Sequence, residues 1–167
     1  MTVAPGDQAV VSVFVRVSPT DAFEVFTNEI ELWWRTGPAY RIAGKRRGRL
    51  ALEAGVGGRL FETFEGAHGE RTFVFGTITV WEPGARLSFV WRGVNFAEGE
   101  STTVDVTFTA QNDGTLVRVR HFGWSSLPED HPARHGLVAA PFARMIGLFW
   151  GSLMTGLREY VEARVVR

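Results

Sequence analysis

The stretch LVAAPFARMIGLFWGSLMTGLREYV, residues 137–161, decides the fold. Leu137, Phe142, Met145, Ile146, Phe149, Leu153, Leu157 and Val161 recur there at helical spacing, so one apolar face runs along a long helix starting near Pro132. Pro141 either begins this helix or kinks it. Its most apolar part, Met145 to Leu157, is too short to span a bilayer and is bracketed by Arg144 and Arg158, so no membrane partner is expected. Gly147, Gly151 and Gly156 each cost about 1 kcal/mol against Ala inside a helix. They imply close approach of the helix to a sheet, or room left beside it.

Upstream of this helix the period changes to strands and turns. Val10–Val17 is β-branched and reads as a strand. Ser18-Pro19-Thr20-Asp21 then signals a helix start, with Ser18 as N-cap, Pro19 in the first turn and Asp21 at the positive end of the dipole. A second short helical piece runs from Ile30 to Trp34. Six strands follow, at Leu50–Ala54, Arg59–Glu65, Arg71–Trp81, Arg86–Trp91, Thr102–Ala110 and Thr115–Phe122. Their short links, among them Gly55-Val56-Gly57-Gly58 and Asn112-Asp113-Gly114, imply a meander. One helix covers the inner face of such a sheet only if the sheet bends around it. The predicted fold class is therefore α+β, a helix-grip: a curved antiparallel sheet around a long C-terminal helix, forming one domain over residues 1–167.

Composition narrows the function classes. Lys and Arg number 18, equal to Asp and Glu, so the basic footprint of a nucleic-acid binder is missing. The one basic cluster, Lys45-Arg46-Arg47 with Arg49, reads as a solvated loop. With no cysteine there are no disulfides, thiolate nucleophiles or Cys-ligated zinc. Met1 to Gln8 has no signal-peptide character, and the cytoplasm is the expected location. His131 and His135 are four apart, but Pro132 lies between them and no third ligand is near, so no metal and no cofactor are expected. Thirteen Phe and six Trp against two Tyr suit either a roomy apolar interior or a large ordinary core.

Alternation along the strands picks out candidate functional residues. Val117, Val119 and His121 share a face opposite Arg118 and Arg120, which places His121 inward at a cavity edge. There it serves as a general base, orients a ligand, or is a core histidine bonded to a backbone carbonyl. Glu62 is expected at a strand edge in water; turned inward, it needs Arg92 or His121 as partner.

The element order, together with several motifs, resembles the START-like superfamily, within it the branch named after the activator of heat-shock protein 90 ATPase. Gly57-Gly58-Arg59-Leu60-Phe61-Glu62, Gly76-Thr77-Ile78 with Trp81-Glu82-Pro83, Arg86-Leu87-Ser88-Phe89-Val90-Trp91, and Gly114-Thr115 leading to His121-Phe122-Gly123-Trp124 carry the likeness over nearly the whole chain. The resemblance implies a ligand cavity between sheet and C-terminal helix. The separate N-terminal domain of the eukaryotic co-chaperone has no room here, so chaperone activation does not transfer with the fold.

Candidate cavity walls are Phe26, Trp33 and Trp34 from the short helices. The strands offer Phe64, Ile78, Phe89, Trp91, Val106, Phe108, Val119 and His121. Trp124 follows the last strand, and Met145, Phe149 and Trp150 come from the helix. Three function classes result. The first is a binding module for an apolar or aromatic small molecule. The second is a cyclase- or dehydratase-like enzyme using His121 with Glu62 or Glu53. The third is a chaperone-linked protein–protein interaction domain, with a homodimer through an edge strand or the Trp33-Trp34 segment left open.

Overall fold

Which side of each strand is apolar decides where the sheet turns its covered face. Leu87 and Phe89, Val104, Val106 and Phe108, and Val117 and Val119 are all buried on one side, while Arg86, Thr107 and Arg118 line up across the other. In the computed structural model, which describes residues 6–43 and 48–166, these segments join one seven-stranded antiparallel sheet. The elements are β1 (Ala9–Val15), α1 (Pro19–Asn28), α2 (Ile30–Trp33), β2 (Gly48–Leu52), β3 (Arg59–Gly66), β4 (Gly69–Glu82), β5 (Arg86–Trp91), β6 (Thr102–Gln111), β7 (Gly114–Phe122) and α3 (Ala139–Val166). The strand order β1-β7-β6-β5-β4-β3-β2 is a meander from β2 to β7, closed on one side by β1. Register shifts at Leu60/Phe61 and Ile78/Val80 interrupt the ladders beside β4, and such bulges bend a sheet. The sheet curls as a half-barrel around α3, the expected helix-grip.

Ser18 caps α1 by accepting the Asp21 N–H at 3.1 Å. The long helix starts later than the apolar pattern implied. Pro132–Arg134 forms a separate 3-10 turn, His135 and Gly136 adopt left-handed backbone, and α3 begins at Ala139 with Pro141 in its first turn. A first-turn N–H has no helical partner, so proline fits there without a kink. Of the three helix glycines, only Gly156 meets a neighbour, since an added Cβ would lie 3.2 Å from Trp33 O; beside Gly147 and Gly151 the space is open. Lys45, Arg46 and Arg47 lie outside the described residues, whereas Arg49 is exposed on β2.

The β6–β7 hairpin forms at Asn112-Asp113-Gly114. Left-handed backbone falls on Asn112 (φ 51°). Gly114 is needed for proximity: a Cβ there would stand 2.2 Å from Val15 O and 2.8 Å from the Phe14 ring. Because the obstacle is the backbone of β1, Gly114→Ala must push that strand off the sheet. The expected loss is about 2 kcal/mol, in the range of overpacked cores, read from the urea midpoint; an unchanged midpoint would refute the close approach.

Candidate functional site

Most of the concave side is filled rather than open. Trp33 donates its indole N–H to Phe26 O at 3.1 Å, Trp34 to Tyr40 O at 3.1 Å, and Trp150 to His121 Nδ1 at 3.0 Å. With their N–H groups satisfied, these rings pack edge to face or tilted against Phe26, Phe75 and Phe149. Ile78, Phe89, Val106, Phe108 and Val119 are buried in the same core. Phe26, Trp33, Trp34, Ile78, Phe89, Val106, Phe108, Val119 and Trp150 are therefore filling, not walls. Phe64 faces a separate hollow with Gly48, Arg49 and Thr63.

Space remains at one end, where β5 and β7 run out beneath the N-terminal half of α3. A cavity of about 550 Å³ opens there, inside the range usual for small-molecule sites. Trp91 ends β5, His121 lies near the end of β7, and Trp124 begins the 3-10 turn Trp124–Ser126 after it. Met145 and Ile146 come from α3, with Phe149 about one turn further along it. Gly93, Val94, Asn95 and Phe96 of the β5–β6 loop, and Pro38 and Ala39 of the α2–β2 loop, complete the mouth with Ala133 and His135. A smaller recess of about 190 Å³, lined also by Tyr40, Arg41, Ile42, Glu62, Phe73 and Phe75, shares Trp91, Phe149 and the same two loops. Five of the expected wall residues thus meet at the cavity: Trp91, His121, Trp124, Met145 and Phe149. The loop residues were not legible as walls, because turn chemistry marks a loop without saying over which face it folds.

Both loops are tied down. Arg41 is buried; its guanidinium donates to the Glu31 carboxylate at 2.9 Å and to Trp34 O at 2.7 Å. Tyr40 stacks on Phe149 and donates its hydroxyl proton to Ser152 Oγ at 2.8 Å. In the β5–β6 loop Arg92 donates to Glu100 O and Ala97 O, and Glu100 Oε1 lies 2.8 Å from His131 Nε2. The cavity mouth is consequently preformed.

The acid–base pair does not assemble. His121 is 2% exposed, and both of its nitrogens are engaged. Nδ1 accepts from Trp150, so the proton sits on Nε2 and is donated to Thr102 Oγ1 at 2.8 Å. Burial pushes its pKa down to about 3, and the ring is neutral at physiological pH. Its partners are a hydroxyl and an indole, not the backbone carbonyl expected of a core histidine. Glu62 is not at a wet strand edge; it is 1% exposed and accepts the Ile42 N–H at 3.0 Å and the Ala43 N–H. Neither Arg92 nor His121 is its partner; two backbone amides take that place. Glu53 lies outside the cavity, exposed and paired with Arg59, which holds its carboxyl down at about 2. Among the described residues no three His, Asp or Glu side chains are grouped to hold a metal ion, and no helix is long and apolar enough to cross a membrane.

Residues 16–162 match the family described as activator of Hsp90 ATPase homolog 1-like protein. The chain belongs to this family. Its START-like fold is shared by solved structures at low identity. Protein MLL2253 from Mesorhizobium loti superposes with a TM-score of 0.62 at 17% identity, over 94% of this chain and 97% of that one. The Aha1 dimer from Colwellia psychrerythraea gives 0.59 at 16% identity, over 93% and 96%. DynU16, from the dynemicin biosynthetic locus, gives 0.60 at 19% identity, covering 93% of this chain and 47% of that one. No curated protein matches.

Proposed function

We propose that this member of the family binds an apolar or aromatic small molecule in the cavity at the end of β5 and β7. The observation that supports it is a contrast within one core: nine candidate aromatics and aliphatics pack solid, while Trp91, Trp124, Met145 and Phe149 border about 550 Å³ of space. A fold built only for stability would close such a gap, since unfilled apolar volume weakens packing. An enzyme reading through His121 with a carboxylate lacks its geometry, because the imidazole is neutral with both nitrogens engaged and Glu62 is held by backbone amides.

A thermal-shift titration with benzophenone and diphenylmethane, two-ring compounds small enough for the cavity, tests this. Ligand at about 100 times its Kd adds about 2.7 kcal/mol, which raises the melting temperature by roughly 5–10 °C for a domain of this size. Met145→Trp, which fills the mouth, is expected to remove the shift while leaving the unliganded melting temperature within a few degrees. If neither compound moves the melting temperature of the wild type, the cavity is not a site for such ligands.

A further inference from the structure

The outer face of the sheet, turned away from α3, carries a second hollow of about 400 Å³, lined by Gln8, Asp105, Thr107, Arg118 and Arg120. Strand alternation aims the side chains of β6 and β7 into it. Val104, Val106, Val117 and Val119 are buried on the concave side, so Asp105, Thr107, Arg118 and Arg120, each one residue further along, stand outward. Arg118 is exposed and lies opposite Thr107 on β6 and Ser12 on β1. Arg120 lies opposite Asp105 and Val10. Two residues apart on one strand face, the arginines start from Cα atoms about 7 Å apart, close enough for both guanidiniums to reach one anion.

Asp105 is the acid placed to neutralise them, and it is spent elsewhere. Its Oδ1 accepts from Arg86 Nε at 2.7 Å and from the Ser88 hydroxyl, both on β5, although Arg120 stands directly opposite it on β7. Arg120 is held in another way: its guanidinium lies over the Phe122 ring at 3.9 Å and donates to Gln8 Oε1 at 3.4 Å. Asp7, whose charge also acts on Arg120, is hydrogen-bonded to Ser125. Among the described residues Arg118 has no hydrogen-bond or ion-pair partner. A chain with 18 basic and 18 acidic residues therefore sets two guanidiniums side by side with no carboxylate bonded to either. Like charges at this spacing repel each other, and an anion between them relieves the repulsion. An arginine kept only for solubility needs neither the stacking that fixes Arg120 nor a hollow in front of it.

We infer that this hollow binds a phosphate dianion, free or as the head of a small monoester, between Arg118 and Arg120, with the Thr107 hydroxyl as a further donor. A carboxylate has two oxygens, which a single guanidinium fork already satisfies. A phosphate offers at least three acceptor oxygens and nearly two negative charges, which match two forks and a hydroxyl. The Asp105 carboxylate in the same wall is countered by Arg86, so the hollow stays positive. Two arginines make a site for one anionic group and fall short of the extended basic footprint that nucleic acid requires. The hollow lies on the opposite face of the sheet from the apolar cavity and does not depend on it.

Titration of the wild type at constant ionic strength and about pH 7.5, where a phosphate is mostly dianionic, separates a site from general charge screening. In 1H–15N spectra, inorganic phosphate and phenyl phosphate are expected to shift the Arg118 and Arg120 Nε–H resonances saturably at millimolar concentration. Acetate should bind about tenfold more weakly, since it engages one fork. Tighter binding of phenyl phosphate identifies a monoester as the source, and inorganic phosphate at equal or higher affinity identifies the free ion. Arg118→Gln and Arg120→Gln are each expected to weaken phosphate binding about tenfold, the scale of one charge-assisted hydrogen bond. Arg158→Gln, which removes the same charge from an exposed position on α3, should leave the affinity unchanged. Shifts that do not saturate, acetate bound as tightly as phosphate, affinity that survives either arginine substitution in the hollow, or an equal loss in Arg158→Gln each overturns this inference. The wild-type titration reads the site without relying on any variant, and its failure leaves the apolar cavity proposal standing.

Discussion

Trp150→Ala is expected to remove about 4 kcal/mol of stability, the largest effect of any single truncation argued for this protein. The ring is 1% exposed and packs against Trp34, Trp91, His121 and Phe149 at centroid distances between 5.6 and 6.1 Å. Deleting a buried tryptophan forfeits its transfer free energy and leaves a void, together about 3–5 kcal/mol. The loss also strips His121 Nδ1 of its donor, in a place water reaches poorly. Trp150→Phe keeps a six-membered aromatic ring in the core but drops the N–H together with part of the indole's volume, so about 2–3 kcal/mol is expected for it. Urea unfolding at constant m-value measures both, and for the alanine variant the melting temperature should fall by roughly 12 °C. A loss below about 1 kcal/mol for Trp150→Ala would mean that the aromatic cluster under α3 does not carry the core.

Acidification should destabilise the protein through His121 before its carboxylates dominate. The folded pKa is depressed to about 3 by burial, while the unfolded side chain titrates near its ordinary value of about 6.5. Between these values the unfolded chain binds the extra proton, so stability rises with pH. The contribution is complete above about pH 6.5 and drains as pH falls toward 3. Taken as a full proton per molecule, it amounts to about 2 kcal/mol by pH 5 and about 3 kcal/mol by pH 4. Among the described residues no charged group pairs with the imidazole, whose contacts are with Thr102, Trp91, Trp124 and Trp150. Because acidic groups add their own terms below pH 5, the decisive quantity is the difference between wild type and His121→Asn. The wild type should lose about 2 kcal/mol more than the variant between pH 7.5 and 5. Parallel profiles would show that the imidazole takes up a proton in the folded state at its usual pH.

Along the chain, what could be read was what repeats or punctuates. The three- and four-residue spacing from Leu137 to Val161 specified α3, and the alternation in β5, β6 and β7 specified which faces turn inward, His121 included. Ser18 and Pro19 announced α1, and Asn112-Asp113-Gly114 announced the last hairpin. Periodicity of this kind reports the face a side chain occupies, because backbone geometry sets it locally. Misreadings began where one face holds more residues than a cavity needs. Trp34 and Trp91 are equally aromatic and both lie inward, yet Trp34 is packed shut and Trp91 borders the opening.

From the sequence alone came the curved sheet, the covering helix, the family and the inward histidine, all of them consequences of local pattern and order. Only the tertiary structure decided where the core stays open, which loops frame the mouth, that Glu62 is held by the Ile42 and Ala43 amides, and that Trp124 alone of the four most buried indoles lacks an acceptor. Those facts depend on how residues distant along the chain fill or fail to fill a shared volume. Packing and hydrogen-bond satisfaction are properties of that volume, and no stretch of sequence carries them by itself.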